Sequence, residues 1–177
     1  SIYTFMIDFD DDGDVDILSS FGWEPRISWH ENNGQGVFTT EHIIDSTDLP
    51  IAPYIYPVDL DGDNDLDVLS VSNDSLSWYE NTGDEIFAEP QFLPTWVVSE
   101  SIITAGDIDG DGDADILAAD QFFGVIRWYE NLGNGSFDDP QTIEADLVVV
   151  ERLYIDDLDI DGDMDILAGA YRADNKI

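Results

Sequence analysis

Apolar positions along this chain come in short bursts. β-Branched and aromatic residues gather in runs of 5 to 8, set apart by Asp, Gly and Asn, and no stretch sustains the period of an amphipathic helix. The pattern predicts strands throughout, as over Ser101 to Gly106, Ala114 to Ala119, Val125 to Glu130 and Ser136 to Ile143.

The bursts also recur. An eleven-residue run, D-x-D-x-D-[GN]-D-x-D-[IV]-L, occurs four times, as Asp8 to Leu18, Asp59 to Leu69, Asp107 to Leu117 and Asp157 to Leu167, at separations of 51, 48 and 50 residues. A second run follows the first three copies: ISWHENNGQGVF, LSWYENTGDEIF and IRWYENLGNGSF. Its Trp29, Trp78 and Trp128 lie 49 and 50 residues apart, and its last residues are Phe38, Phe87 and Phe137. Two patterns locked to one period define a repeated structural unit. The units fall at approximately 1–50, 51–98, 99–148 and 149–177, the last holding only its first two strands.

Four strands in about fifty residues suit one blade of a β-propeller, whose radial packing protects most sheet edges. The predicted fold is all-β, a β-propeller of four-stranded antiparallel blades, with about 3.5 blades present as part of a seven-bladed ring. An ordinary β-sandwich would not be expected to repeat its sequence this faithfully. A half-finished blade leaves raw edges that need a partner. The remainder of a longer chain or a second copy would close the ring.

Charge narrows the range of partners. The chain carries 41 Asp or Glu against 5 Lys or Arg, a formal charge of −36, which repels phosphate backbones and anionic lipid. Neither nucleic-acid binding nor membrane insertion is expected, and no apolar run approaches the roughly 18 to 20 residues of a spanning helix. Disorder is excluded by a composition that is 43% hydrophobic and 12% aromatic, with five Trp. The absence of cysteine removes disulfides, zinc-thiolate sites and thiol catalysis, so something else must staple the fold. The chain opens at Ser1 without a basic and apolar leader, which fits a removed signal or an internal piece.

The aspartate runs supply a candidate staple. Five carboxylates at alternating positions around Gly or Asn form the donor set of a hard cation that takes several oxygens in a tight loop, and calcium is the natural choice. In the first loop the ligands would be the side chains of Asp8, Asp10, Asp12 and Asp16, with the backbone carbonyl of Asp14. The corresponding residues are Asp59, Asp61, Asp63, Asp65 and Asp67 in the second loop, and Asp107, Asp109, Asp111, Asp113 and Asp115 in the third. In the fourth they are Asp157, Asp159, Asp161, Asp163 and Asp165. Gly13, Asn64, Gly112 and Gly162 stand where such a turn needs a permissive φ. Position 12 holds Ser19, Ser70, Ala118 and Ala168 where an EF-hand requires Glu, so these are strand-loop-strand sites.

Without a cation the loops would be costly. Four carboxylates at about 6 Å make six like-charge pairs of roughly 0.7 kcal/mol each even in water, or about 4 kcal/mol per loop before screening. The four loops hold 21 of the 41 acidic residues, and four calcium ions, one per loop, would lift −36 to −28. Magnesium suits such a cage less well, because it prefers to keep its waters.

The pairing of DIDGDGDADIL with IRWYENLGNGSF resembles the FG-GAP/VCBS repeat family, whose relatives include the propellers of integrin α subunits. The likeness covers essentially the whole chain. It implies a β-propeller with calcium in a hairpin loop of each blade, in secreted or cell-surface proteins that bind proteins or glycans. The Phe-Gly-Gly-Ala-Pro string that names part of the family is missing, so an integrin-like ligand mode is not implied.

Residues shared by every unit are expected to serve the blade, which assigns Trp29, Trp78, Trp128, Phe38, Phe87 and Phe137 to packing between blades. His30 falls where Tyr79 and Tyr129 fall and is expected to be structural, while His42 beside Glu41 is expected to be solvated. Unrepeated aromatics are the candidates for ligand contact: Phe21, Trp23, Trp96, Phe122, Phe123 and Tyr171, with Arg172 beside the last. No nucleophile, base and orienting group stand together in the sequence, so no catalytic residue is expected. The functional expectation is a calcium-binding, non-catalytic adhesion or recognition module, extracellular or at the cell surface, for a protein or carbohydrate ligand. The alternatives are a structural spacer or self-assembling unit, and the non-catalytic propeller of a polysaccharide-degrading enzyme.

Overall fold

The computed structural model of the chain describes residues 2–22, 26–46, 53–72, 75–83, 86–93, 101–121, 123–144 and 147–171. These are all strand, turn and loop. Four strands β1 (Ile2–Ile7), β2 (Asp16–Phe21), β3 (Arg26–Asn32) and β4 (Phe38–Asp45) form the first sheet in chain order. The second sheet is β5 (Tyr54–Val58), β6 (Asp67–Ser72), β7 (Ser75–Tyr79) and β8 (Gln91–Leu93). The third is β9 (Ser101–Gly106), β10 (Asp115–Asp120), β11 (Ile126–Tyr129) and β12 (Gln141–Glu144). The fourth is the hairpin of β13 (Val149–Asp156) and β14 (Asp165–Tyr171). Every pairing is antiparallel between chain neighbours, the meander of a propeller blade, and the chain is a partial β-propeller.

Register repeats with the sequence. Leu18 faces Trp29, Leu69 faces Trp78 and Leu117 faces Trp128. The last strand of the third blade is the main departure from the predicted boundaries. Phe137 makes only an isolated bridge to Asn131, and continuous pairing begins at Gln141, just after Pro140, which has no backbone N–H to donate.

The apolar core lies between sheets. One cluster joins Leu18, Ile27 and Trp29 of the first sheet to Ile55, Val68 and Tyr79 of the second. Another joins Leu69, Leu76 and Trp78 of the second to Ile103, Ile116 and Tyr129 of the third, and the last joins Leu117 and Ile126 to Val150 and Leu153. Neighbouring positions on β6 thus point to opposite interfaces, Val68 backward and Leu69 forward, because side chains alternate along a strand. Both faces of an inner sheet are buried, which is why all six residues of β10 are inaccessible.

Position in the series explains the substitutions. Tyr79 and Tyr129 fill the face toward the preceding sheet and are 3% and 0% exposed. His30 occupies the same place on the outer face of the first sheet, where no preceding sheet packs among the described residues, and it is partly exposed. At the other end Leu167 is 51% exposed, although its counterparts Leu18, Leu69 and Leu117 are fully buried. Trp29, Trp78 and Trp128 pack in the clusters between sheets, as do Phe87 and Phe137, whereas Phe38 corrects the expectation: on the first sheet it is 40% exposed and joins none of them.

Candidate metal centres

Each aspartate loop joins the first strand of a sheet to the second, so the sheets carry all four loops at the same end. The chain reverses there through two left-handed positions. Gly13, Asn64, Gly112 and Gly162 take φ of 93°, 75°, 102° and 98°, at the place expected from the sequence. Two residues earlier, Asp11, Gly62, Gly110 and Ile160 take 59°, 79°, 80° and 65°. The β-branched Ile160 is strained in that region, whereas Gly62 and Gly110 are not.

Local hydrogen bonds curl the carboxylates inward. The first aspartate accepts from the backbone N–H of the sixth loop residue at 3.0 Å in all four loops: Gly13 to Asp8, Asn64 to Asp59, Gly112 to Asp107 and Gly162 to Asp157. The third accepts from the fourth, with Asp14 N–H donating to Asp12 at 2.8 Å and Asp65 to Asp63 at 2.9 Å. Carboxylate oxygens consequently converge. Those of Asp8, Asp10 and Asp16 lie within 4.8 Å of one another, as do those of Asp59, Asp61 and Asp67, of Asp107, Asp109 and Asp111, and of Asp157, Asp159 and Asp165. Asp8 Oδ1 is buried and accepts no hydrogen bond, the condition of an oxygen held for a cation. Hard oxygen donors at this density fit calcium.

The fifth aspartate has a structural role that the spacing alone did not reveal. Asp16 is fully buried, and its two oxygens accept from the backbone N–H of Phe9 at 2.9 Å and of Asn32 at 2.7 Å. Asp67 binds Leu60 and Asn81 likewise, and Asp115 binds Ile108 and Asn131. Each carboxylate therefore clamps its own loop to the Glu-Asn step in the middle of the second motif, which is the physical reason the two motifs share a period. In the fourth unit Asp165 accepts from Leu158 at 3.0 Å.

The second motif also closes over the loop. A Cβ on Gly34 would lie 2.6 Å from Asp14 Oδ2, and one on Gly133 would lie 3.2 Å from Asp113 Oδ2, so these glycines admit the fourth aspartate's side chain. Glu80 and Glu130 add charge that the sequence reading did not assign. Desolvation raises the Glu130 carboxyl, and Asp109 raises it further. Glu80 is among the charges that raise Asp61, where desolvation is again the largest cause. Their fixed place two residues after the repeated Trp was the available signal.

Burial pushes Asp67 up to about 7 against the pull of its two backbone N–H donors. The Trp78 indole N–H lies close enough to favour the ionised form but makes no well-formed hydrogen bond. Desolvation raises Asp115 in the same way. An acid so placed resists ionising until a cation joins it.

The unrepeated aromatics among the described residues lie elsewhere. Trp23, Trp96 and Phe122 lie outside the described residues, and Tyr171 is placed only by its backbone, at the end of β14. Phe123 is 66% exposed, at the end of β10 remote from the aspartate loop. Its turn is tightly held: Phe123 N–H donates to Asp120 Oδ1 at 2.9 Å, and a Cβ on Gly124 would lie 1.7 Å from the Leu147 carbonyl oxygen. Phe21 carries the Arg26 guanidinium over its ring at 5.4 Å. His42 corrects the sequence expectation. It is not simply solvated but stacks on Trp29, with ring centroids 4.2 Å apart at 14°, and its Nε2 lies 3.5 Å from Glu31.

Comparison with known proteins agrees with the fold. The sequence pattern of the FG-GAP-like repeat matches three overlapping spans, residues 8–70, 59–118 and 107–168. No curated protein sequence matches significantly. Among solved structures, the chain is similar to an Agrocybe aegerita lectin described as specifically recognising non-reducing terminal N-acetylglucosamine. The TM-score is 0.70 and the identity 20%, over 94% of this chain and 46% of that one. It is also similar to part of a Photorhabdus luminescens Tc holotoxin pore, with TM-score 0.52 and 19% identity over 94% of this chain and 8% of that one. The chain thus spans less than half the length of either.

Proposed function

This chain belongs to the FG-GAP-like repeat family, and from that premise we propose that it is a calcium-binding, non-catalytic propeller module that recognises a protein or glycan at the cell surface or outside the cell. The observation that carries the reading is the convergence of three carboxylates in every loop, with the buried, unpartnered Asp8 Oδ1 among them. The first, second, third and fifth aspartates of each loop would hold the ion by side chain, and the fourth by its carbonyl. The cation would supply the positive charge that lets the crowded, partly buried carboxylates ionise together. It would act as a staple in a chain without cysteine.

Recognition rests on the exposed Phe123 and on the lectin among the structural neighbours. No helix among the described residues is long and apolar enough to cross a membrane. Self-assembly is the second reading, favoured by Leu158 and Leu167, which are 57% and 51% exposed on the fourth hairpin.

Calorimetric titration with calcium tests the metal, with heat expected for four sites and a rise in melting temperature. A flat titration, with melting and tryptophan fluorescence indifferent to chelator, would refute it. A glycan array in calcium tests recognition: specific hits weakened by Phe123→Ala at unchanged calcium affinity support it, whereas no hits together with self-association favour assembly.

A further inference from the structure

A single buried amide ties the second aspartate loop to the third. Asn131 follows Glu130 in the middle of the second motif of the third unit and is fully buried. Its backbone N–H donates to Asp115 Oδ1 at 2.8 Å, and its Oδ1 accepts from Gly133 N–H at 3.1 Å. One Nδ2 hydrogen goes to the Ala114 carbonyl of its own loop at 3.0 Å. The other crosses to the Leu60 carbonyl at 2.8 Å, 71 residues away.

Leu60 stands between Asp59 and Asp61, and its N–H donates to Asp67 Oδ2 at 3.0 Å. Both backbone groups of that residue are therefore committed, one to its own loop and one to the next blade. The amide at the same place in the second unit behaves differently. Asn81 Nδ2 turns to Leu66 O of its own unit at 3.4 Å. Around the bridge the contact is apolar and buried, with Leu60, Trp78, Ile116 and Tyr129 in one cluster.

We infer that Asn131 is a positioning residue that couples cation binding at the second and third loops, so that filling one tightens the other. This rests on the calcium reading above. A cation held by Asp59 and Asp61 would fix the peptide groups of Leu60. The fixed Leu60 carbonyl holds the Asn131 side-chain amide, that amide holds the Ala114 carbonyl, and the backbone N–H of the same residue holds the Asp115 carboxylate, so the third loop is shaped through one residue. Ordering shared between two sites need be lost only once, which makes their binding cooperative without a large movement.

The test is calcium titration of the full chain with the first and fourth loops disabled by Asp10→Asn and Asp159→Asn. Affinity at the third loop is compared with the second loop intact and with it disabled by Asp61→Asn. Loss of the second site is expected to weaken the third by about fivefold or more, the lower end of ordinary coupling. In Asn131→Ala the same comparison should give less than about a twofold change. Asn81→Ala serves as the control for a destabilised fold: it should lower the melting temperature yet keep the coupling. Calcium binding with a third-loop affinity indifferent to the second, or coupling that survives Asn131→Ala, overturns the inference while leaving the calcium reading standing. No calcium binding in any variant overturns both.

Discussion

Substituting Gly135 by alanine separates what the repeat demands locally from what the neighbouring blade demands. Gly135 and Gly36 occupy the same place in the second motif, seven residues after Trp128 and Trp29, and take φ of 66° and 72°. A Cβ on Gly36 meets nothing within 4 Å. One on Gly135 would lie 2.1 and 2.3 Å from Trp78 Cη2 and Cζ3, on the preceding blade. Gly36→Ala should therefore cost only the backbone strain of a left-handed alanine, about 1 kcal/mol. Gly135→Ala adds displacement by more than 1 Å of an indole that is 3% exposed and packed among Leu60, Ile103 and Tyr129. Overpacking of that kind costs about 1–3 kcal/mol, for a total of about 2–4 kcal/mol. Urea unfolding in saturating calcium, with the slope checked for constancy, reads the difference, and each kcal/mol should lower the melting temperature by about 2–4 °C. Equal losses in the two variants would refute the packing of one blade's turn on the previous blade's tryptophan.

Three further outcomes are expected. Removing calcium should lower the melting temperature and change tryptophan emission, because the Trp78 indole lies beside Asp67 and Trp128 is near Asp115; unchanged melting would count against a cation staple. In the metal-free protein, Asp67 titrates near 7 when folded and at its ordinary 3.8 when unfolded, so the folded chain holds the extra proton between those values. Its contribution, on the order of a few kcal/mol, is present below pH 4 and lost as pH rises toward 7, whereas in calcium stability should rise over the same range; denaturation midpoints at several pH values with and without chelator check the sign. Tyr79→Phe removes the 2.6 Å hydrogen bond from its hydroxyl to Asp45 on the first sheet and should cost about 1–2 kcal/mol, with a loss under about 0.3 kcal/mol in urea unfolding counting against it.

Much of this protein is legible in its residues alone. The period, the strand runs, the loop glycines and the converging aspartates are all local features, and repetition made each legible several times over. Asp8, Asp10 and Gly13 belong to one loop, so their spacing constrains their geometry directly. Even the assignment of Trp29, Trp78 and Trp128 to blade packing followed from their recurrence.

What spacing could not determine is which neighbour each repeated residue meets. Asn81 and Asn131 occupy the same place in the motif, yet Asn131 reaches Leu60 and Asn81 turns to Leu66. Gly36 faces open space and Gly135 faces Trp78, and Leu167 is exposed where Leu69 is buried. His42 carries no local sign that it will stack on Trp29 across the sheet. A repeating sequence determines the unit because the forces within it are short-range and the same each time. The contacts between units depend on the order of the blades, and only the folded chain decides those.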